Sequence, residues 1–328
     1  MRFASGPSRT IFFLCVLATG LLPLELQAQP ARKPRPKPAE PFPFIPRDFA
    51  GGFEQFAEQL FGRPTPEEEQ RLAAITISPA EEKAYGEQQV EAFTDDLRQR
   101  GIRVLRSGRE VEYLRKLVAV IRPHMKHAER YTTIRVCFVD APQVDARAFP
   151  GGTLFFYKGL LSFAETEAAL IGIVGHELSH LDREHLLIPL KRSKFLQSEQ
   201  PNGKTTDWQK PFADAAFMMR VMARPFRPED EAAADRDGAR WAFQAGYDPR
   251  ELARLFDRMH QKTQDPKWPL AGYFRSHPYN DDRRDAIEAE SAELQNAVGE
   301  ADAAKPKLYR GKRNLSVRTP KAEQEFDE

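Results

Sequence analysis

Three features of the sequence predict an α+β domain that is mostly helical. Apolar residues recur at three- and four-residue steps through two early segments, and two short runs are rich in β-branched and aromatic residues. From Glu165 onward the spacing is helical over most of the remaining domain. The chain has 328 residues, 41% hydrophobic and 30% charged, which suits one globular domain of roughly two hundred residues between unlike ends. Its formal net charge is +1, so no strong field points to nucleic acid or to an acidic partner.

The first segment reads as an export signal. Arg2 and Arg9 precede an almost uncharged apolar run, Thr10 to Leu24, and Leu26-Gln27-Ala28 supplies a small-residue cleavage pattern. Residues 1–28 are therefore expected to be a signal peptide, which places the domain in the periplasm or outside the cell. The run is short for a membrane span, which needs about twenty residues. An uncleaved signal anchor is the alternative, and it leaves the domain on the same side. Cleavage removes Cys15, so the mature chain keeps only Cys137 and forms no internal disulfide. Phe13-Leu14 before Cys15 also lacks the small residues that precede a lipidated cysteine.

Residues 29–75 are expected to be a linker with a short amphipathic segment. Pro30, Pro34, Pro36, Pro38, Pro41, Pro43 and Pro46 alternate with Arg32, Lys33, Arg35 and Lys37, so this stretch should be extended and solvated. Phe49, Phe53, Phe56 and Leu60 follow at helical spacing and are expected to dock on the domain itself.

The folded domain is expected over residues 76–298. Ser78-Pro79-Ala80-Glu81 combines a capping serine, a proline at the first helical position and a glutamate three residues on, so a helix should run to about Arg100 and stop at Gly101. Val111, Leu114, Val118 and Ile121 define a second helix. Ile134, Val136 and Phe138 alternate with Arg135 and Cys137, the pattern of a half-buried strand. After the turn Pro150-Gly151-Gly152, Thr153 to Tyr157 reads as a second strand. Beyond about Val298 the chain is charged and poor in apolar residues, so 299–328 is expected to be a disordered tail.

The chemistry centres on Ala168 to His185. Leu170, Ile171, Val174, Leu178 and Leu181 mark a buried helix, on which His176 and His180 stand one turn apart on one face. Two imidazoles so placed reach a single zinc ion at about 2.0–2.1 Å. Glu177 is rotated about 100° from His176, beside the metal and free to take a proton from the attacking water. Burying two histidines and a glutamate in an apolar helix without such a role would be costly. His185 lies five residues past His180, about 140° round a continuing helix, and is not expected to bind.

A third ligand should come from another element, since catalytic zinc usually keeps three protein ligands and one open position. In Glu231-Ala232-Ala233-Ala234-Asp235 two carboxylates stand four apart on one face, separated by residues small enough for close packing. Glu231 is the candidate ligand and Asp235 the acceptor that orients His176. An exposed acidic helix start is the competing reading, because Glu229 and Asp230 are acidic too.

These motifs resemble the M48 family of zinc endopeptidases, particularly the secreted bacterial branch related to the mitochondrial protease Oma1. The likeness runs from about Ile77 to Ala289. It rests on Ile77-Ser78-Pro79 with Glu81 and Gly86, on Asp145 to Gly152 leading into Gly159-Leu160-Leu161, and on His176-Glu177-Leu178-Ser179-His180 with His185. It continues through Glu231 to Asp235 with Gly246-Tyr247-Asp248-Pro249, and ends with Ser276-His277-Pro278 and Arg283. The family commonly has asparagine at the position of Asp145 and an apolar residue at that of Arg147.

The resemblance implies a gluzincin-like fold, an active-site helix packed against a small β-sheet, with one zinc ion per chain on His176, His180 and Glu231 and Glu177 as the catalytic base. It implies that Thr153 to Tyr157 is the edge strand that pairs with extended substrate, so that Gly151, Gly152, Thr153, Leu154 and Phe155 touch it. It also brings His277 and Arg283 to the site, with His277 either donating to the oxyanion, held by Arg283, or binding zinc as a fourth ligand in a latent enzyme.

The expected activity is cleavage of internal peptide bonds in polypeptide substrates, unfolded or misfolded proteins of the envelope, with peripheral association with membrane or envelope proteins. Two other readings use the same residues: a quality-control protein that mainly holds clients, and a hydrolase of cell-wall peptide. Met218, Met219 and Met222 in the run Phe212 to Phe226 are expected in a core helix rather than on a substrate surface. Oligomeric state is not legible.

Overall fold

The computed structural model describes residues 65–198, 219, 222–263, 273–279, 281–301 and 308. The expected signal peptide, the proline-rich linker with its amphipathic segment, most of the run Phe212 to Phe226 and nearly all of the charged tail lie outside the described residues.

Local chemistry sets the early helix starts. Thr65 accepts from the Glu68 N–H at the head of α1 (Pro66–Ala74), a helix the sequence reading did not single out. Ser78 and Glu81 form the reciprocal capping box that opens α2 (Pro79–Gln99). Glu81 also pairs with Lys194 of α6 (Ile188–Ser198), and its contacts with Lys194 and Ser78 hold its pKa at about 2, below the ordinary 4.5. A depressed carboxyl contributes stability above its unfolded pKa and loses it as pH falls through the folded value. Glu81→Gln should therefore lower Tm slightly at pH 6 and converge with wild type towards pH 2. A gap that is undiminished at pH 2 would rule out the charge as its source.

Four strands form one sheet in the order β1 (Val104–Leu105), β2 (Arg135–Val139), β4 (Thr153–Tyr157), β3 (Ala146–Phe149). β2 and β4 are parallel, and the two outer pairs are antiparallel. One face packs on α2, with Val90, Phe93 and Leu97 against Cys137, Val139, Phe155 and Tyr157. Val136, Phe138, Leu154 and Phe156 turn the other way, into the main core with Leu114 and Leu117 of α3 (Arg109–Ile121). The expected half-buried strand is thus buried on both sides, because α2 covers the face that alternation assigned to solvent. Cys137 is a buried free thiol.

The sheet order corrects the expected substrate edge. Thr153, Leu154 and Phe155 lie in β4, whose two edges are already hydrogen-bonded to β2 and β3. Strand addition needs an unpaired edge, and β3 occupies that outer position. Gly151 and Gly152 belong to the β3–β4 turn, with φ of 75° and 82°, and the Gly151 N–H donates to buried Glu82.

Helix α4 (Lys158–Phe163) leads into α5 (Glu167–Asp182), every residue of which is buried. It is enclosed by β3, α3, α7 (Pro228–Gln244) and α8 (Arg250–Thr263). The short α9 (Tyr273–Ser276) and α10 (Asp281–Ala301) complete the helical side. Among the described residues no helix is long and apolar enough to cross a membrane.

Candidate active site

Helices α5 and α7 meet backbone to backbone. A Cβ on Gly175 would lie 2.8 Å from the Gly238 Cα, and one on Gly238 would lie 2.8 Å from the Gly172 carbonyl oxygen. Ala233, Ala234 and Ala239 of α7 are buried as well. This crossing is what carries Glu231 to the two histidines of α5. Gly238→Ala should consequently lower Tm, by about 1–3 kcal/mol of overpacking, and a calorimetric Tm equal to wild type would show that the contact tolerates a methyl group.

Four buried side chains then converge. His176 Nε2 lies 3.1 Å from His180 Nε2 and 3.1 Å from His277 Nδ1, and His277 Nδ1 lies 3.0 Å from Glu231 Oε1. One ligand atom from each of the four lies within 4.8 Å of the others. Burial pushes all three imidazoles below their ordinary range, so each presents a lone pair. Burial opposes ionisation of Glu231, yet its contacts with His277, His176 and His180 hold the carboxyl well below the carboxylate range. Converging nitrogen lone pairs and one anionic oxygen, shielded from water, suit a divalent metal of the kind bound by imidazole and carboxylate.

The surrounding groups orient this set. His176 Nδ1 faces Asp235 Oδ1 at 2.8 Å, which fixes the tautomer that leaves Nε2 free. Arg283 donates to both Asp235 oxygens at 2.6 and 2.7 Å and lies 2.8 Å from Glu231 Oε2. It also donates to the His277 and Pro278 carbonyls, so it stands behind the ligands and acts through them. Glu177 Oε1 is buried without a hydrogen-bond partner among the described residues, 3.6 Å from His277 Nε2. Burial, then the charges of Asp145 and Glu231, push its carboxyl well above the ordinary range.

The description "Peptidase family M48" matches residues 114–291, more than half of the chain and all of these groups. The chain belongs to peptidase family M48. The mitochondrial metalloendopeptidase OMA1 of Arabidopsis thaliana is 24% identical to this M48 chain over 165 residues, covering 50% of it and 32% of that protein. The beta-barrel assembly-enhancing protease of Escherichia coli O157:H7 is 23% identical over 157 residues, covering 42% of the chain and 31% of its own length. That of Yersinia pestis is 25% identical over 166 residues, covering 46% and 33%. The chain thus spans about a third of the length of these relatives.

Three features of this M48 site were missed or misplaced by sequence reasoning. Phe226 stacks on His180, ring centroids 3.9 Å apart, and its N–H donates to the Ser276 carbonyl. Nothing in its local pattern marks it. Arg147, on β3, pairs with Asp145 and donates to the Met222 carbonyl, and with Ala148, Phe226 and His277 it lines a cavity of about 140 Å³ that opens onto Glu177. His185 does not join the four converging groups, but the reason differs from the one expected. Helix α5 ends at Asp182, Glu184 adopts φ 58°, and the chain doubles back to set His185 against His180.

Proposed function

We propose that this M48 chain is a zinc-dependent endopeptidase that hydrolyses internal peptide bonds, with residues 76–298 as its catalytic domain. The observation that carries the proposal is the convergence of His176, His180 and Glu231 on one point, with the unpartnered Glu177 Oε1 beside them. These three residues would hold one zinc ion, which supplies a Lewis acid for the scissile carbonyl and acidifies the attacking water. Glu177, ionised beside the bound cation, would take a proton from that water at Oε1 and pass it to the leaving amine. An extended substrate pairs along the outer edge of β3, with a side chain entering the cavity beside Arg147 and Ala148.

For His277 the geometry favours the fourth-ligand role, because its Nδ1 lies among the other ligand atoms at 3.0–3.1 Å. Together with Phe226 on His180, it would cover the metal until substrate displaces both side chains. The basic and apolar start of the sequence supports export, and envelope polypeptides in an unfolded or misfolded state are the substrates we propose.

The test is zinc content and casein cleavage of the chain from residue 29 onward, beside Glu231→Ala. One zinc per chain and cleavage, both lost in Glu231→Ala, is the expected result. Zinc bound without cleavage, which His277→Ala does not restore, would instead favour a quality-control protein that holds clients. Cleavage of wall peptides but not casein would favour the cell-wall reading.

A further inference from the structure

The two ligand histidines of α5 are backed in parallel ways. His176 Nδ1 faces Asp235, which Arg283 grips through both oxygens. His180 Nδ1 faces His185 Nδ1 at 3.0 Å, and His185 Nε2 faces Asp230 Oδ1 at 3.5 Å. Asp230 in turn is gripped by Arg227 through both oxygens at 2.7 Å. Asp230 and Asp235 flank Glu231 on α7, so one helix supplies the third ligand and both carboxylates that back the other two. His185 is a half-buried to buried group with 9% of its side chain exposed, and the turn that carries it is clamped, with Glu184 bound by Arg130 and Lys191.

Two ring nitrogens 3.0 Å apart must share one proton, since two facing lone pairs would repel. If His180 directs Nε2 at the metal, its proton sits on Nδ1, and His185 Nδ1 has to be the acceptor. The His185 proton is then on Nε2, on the side of Asp230. We infer that His185 is the positioning residue of the second ligand histidine, accepting the His180 Nδ1–H while Asp230 holds the His185 tautomer. The inference rests on the zinc-site reading above and adds to it a residue outside the converging set. A metal ligand that lacks such a partner loses both its orientation and part of its basicity.

The experiment measures zinc affinity of the full chain by competition with a chromogenic chelator, with Tm of the metal-free protein recorded alongside. His185→Leu keeps the volume but cannot accept the proton, and should weaken zinc binding about 10–100-fold with the metal-free Tm close to wild type. His185→Asn places an amide oxygen near the original Nδ1 and should recover most of that affinity. Wild-type affinity in His185→Leu would overturn the inference, as would His185→Asn binding zinc as weakly as His185→Leu. Should the leucine variant also lose metal-free stability, the asparagine comparison decides. Zinc binding without casein cleavage, in wild type and in His277→Ala alike, overturns the peptidase proposal alone, since the affinity ratios are read without turnover.

Discussion

Glu177→Gln should leave one zinc per chain in place while casein cleavage falls at least about 10²–10⁴-fold, the range in which a positioned general base contributes. The substitution is nearly isosteric, and Glu177 is not among the converging ligand atoms, so the metal set should be undisturbed. The glutamine amide cannot take a proton from water. It also removes a carboxyl that burial and the charges of Asp145 and Glu231 already disfavour as an anion, so the variant should be no less stable than wild type. Zinc content, casein cleavage and Tm measured together separate the possibilities. Retained cleavage would remove Glu177 from the role of base, whereas lost zinc would mean that it supports the ligands after all. If Glu177→Gln abolishes cleavage but suppresses client aggregation as well as wild type does, holding of clients is a second activity of the same chain.

Arg283→Leu should be the most destabilising single change near the site, by about 3–5 kcal/mol. Arg283 lies 3% exposed between two buried carboxylates, gripping Asp235 with two donors and lying 2.8 Å from Glu231. Burial alone would raise the Asp235 pKa, and Arg283 is the chief reason that it is lowered instead. Without the guanidinium, one carboxylate takes a proton or stays charged and unpaired in the core. Either outcome also loosens His176, which depends on Asp235, so zinc affinity should fall with stability. Arg283→Lys should recover only part of the loss, because an ammonium cannot present a planar fork to a carboxylate. A metal-free Tm unchanged in Arg283→Leu would show that the network is not what holds α10 against α7.

The elements that could be read from the sequence are those whose cause is local. The capping box at Ser78 and Glu81, the helical apolar spacing of α3 and α5, and the β-rich run Thr153 to Tyr157 each depend on residues a few positions apart. The pairing of His176 with His180, and of Glu231 with Asp235, follows from the same helical period. That Glu231 reaches the histidines does not, because it depends on the glycine contact between α5 and α7, made by residues more than sixty positions apart. Strand order is likewise non-local, so the pattern that marked β4 as a strand left open whether it sat at the edge. Its pairing with both β2 and β3 puts β3, not β4, at that edge of the sheet. Phe226 was missed, and the placement of His185 against His180 was not foreseen, for a related reason. One is turned towards His180 by a left-handed residue after the helix end, and the other arrives from a loop with no period. Periodicity constrains which residues share a face, and only the packing of separate elements decides what each face meets.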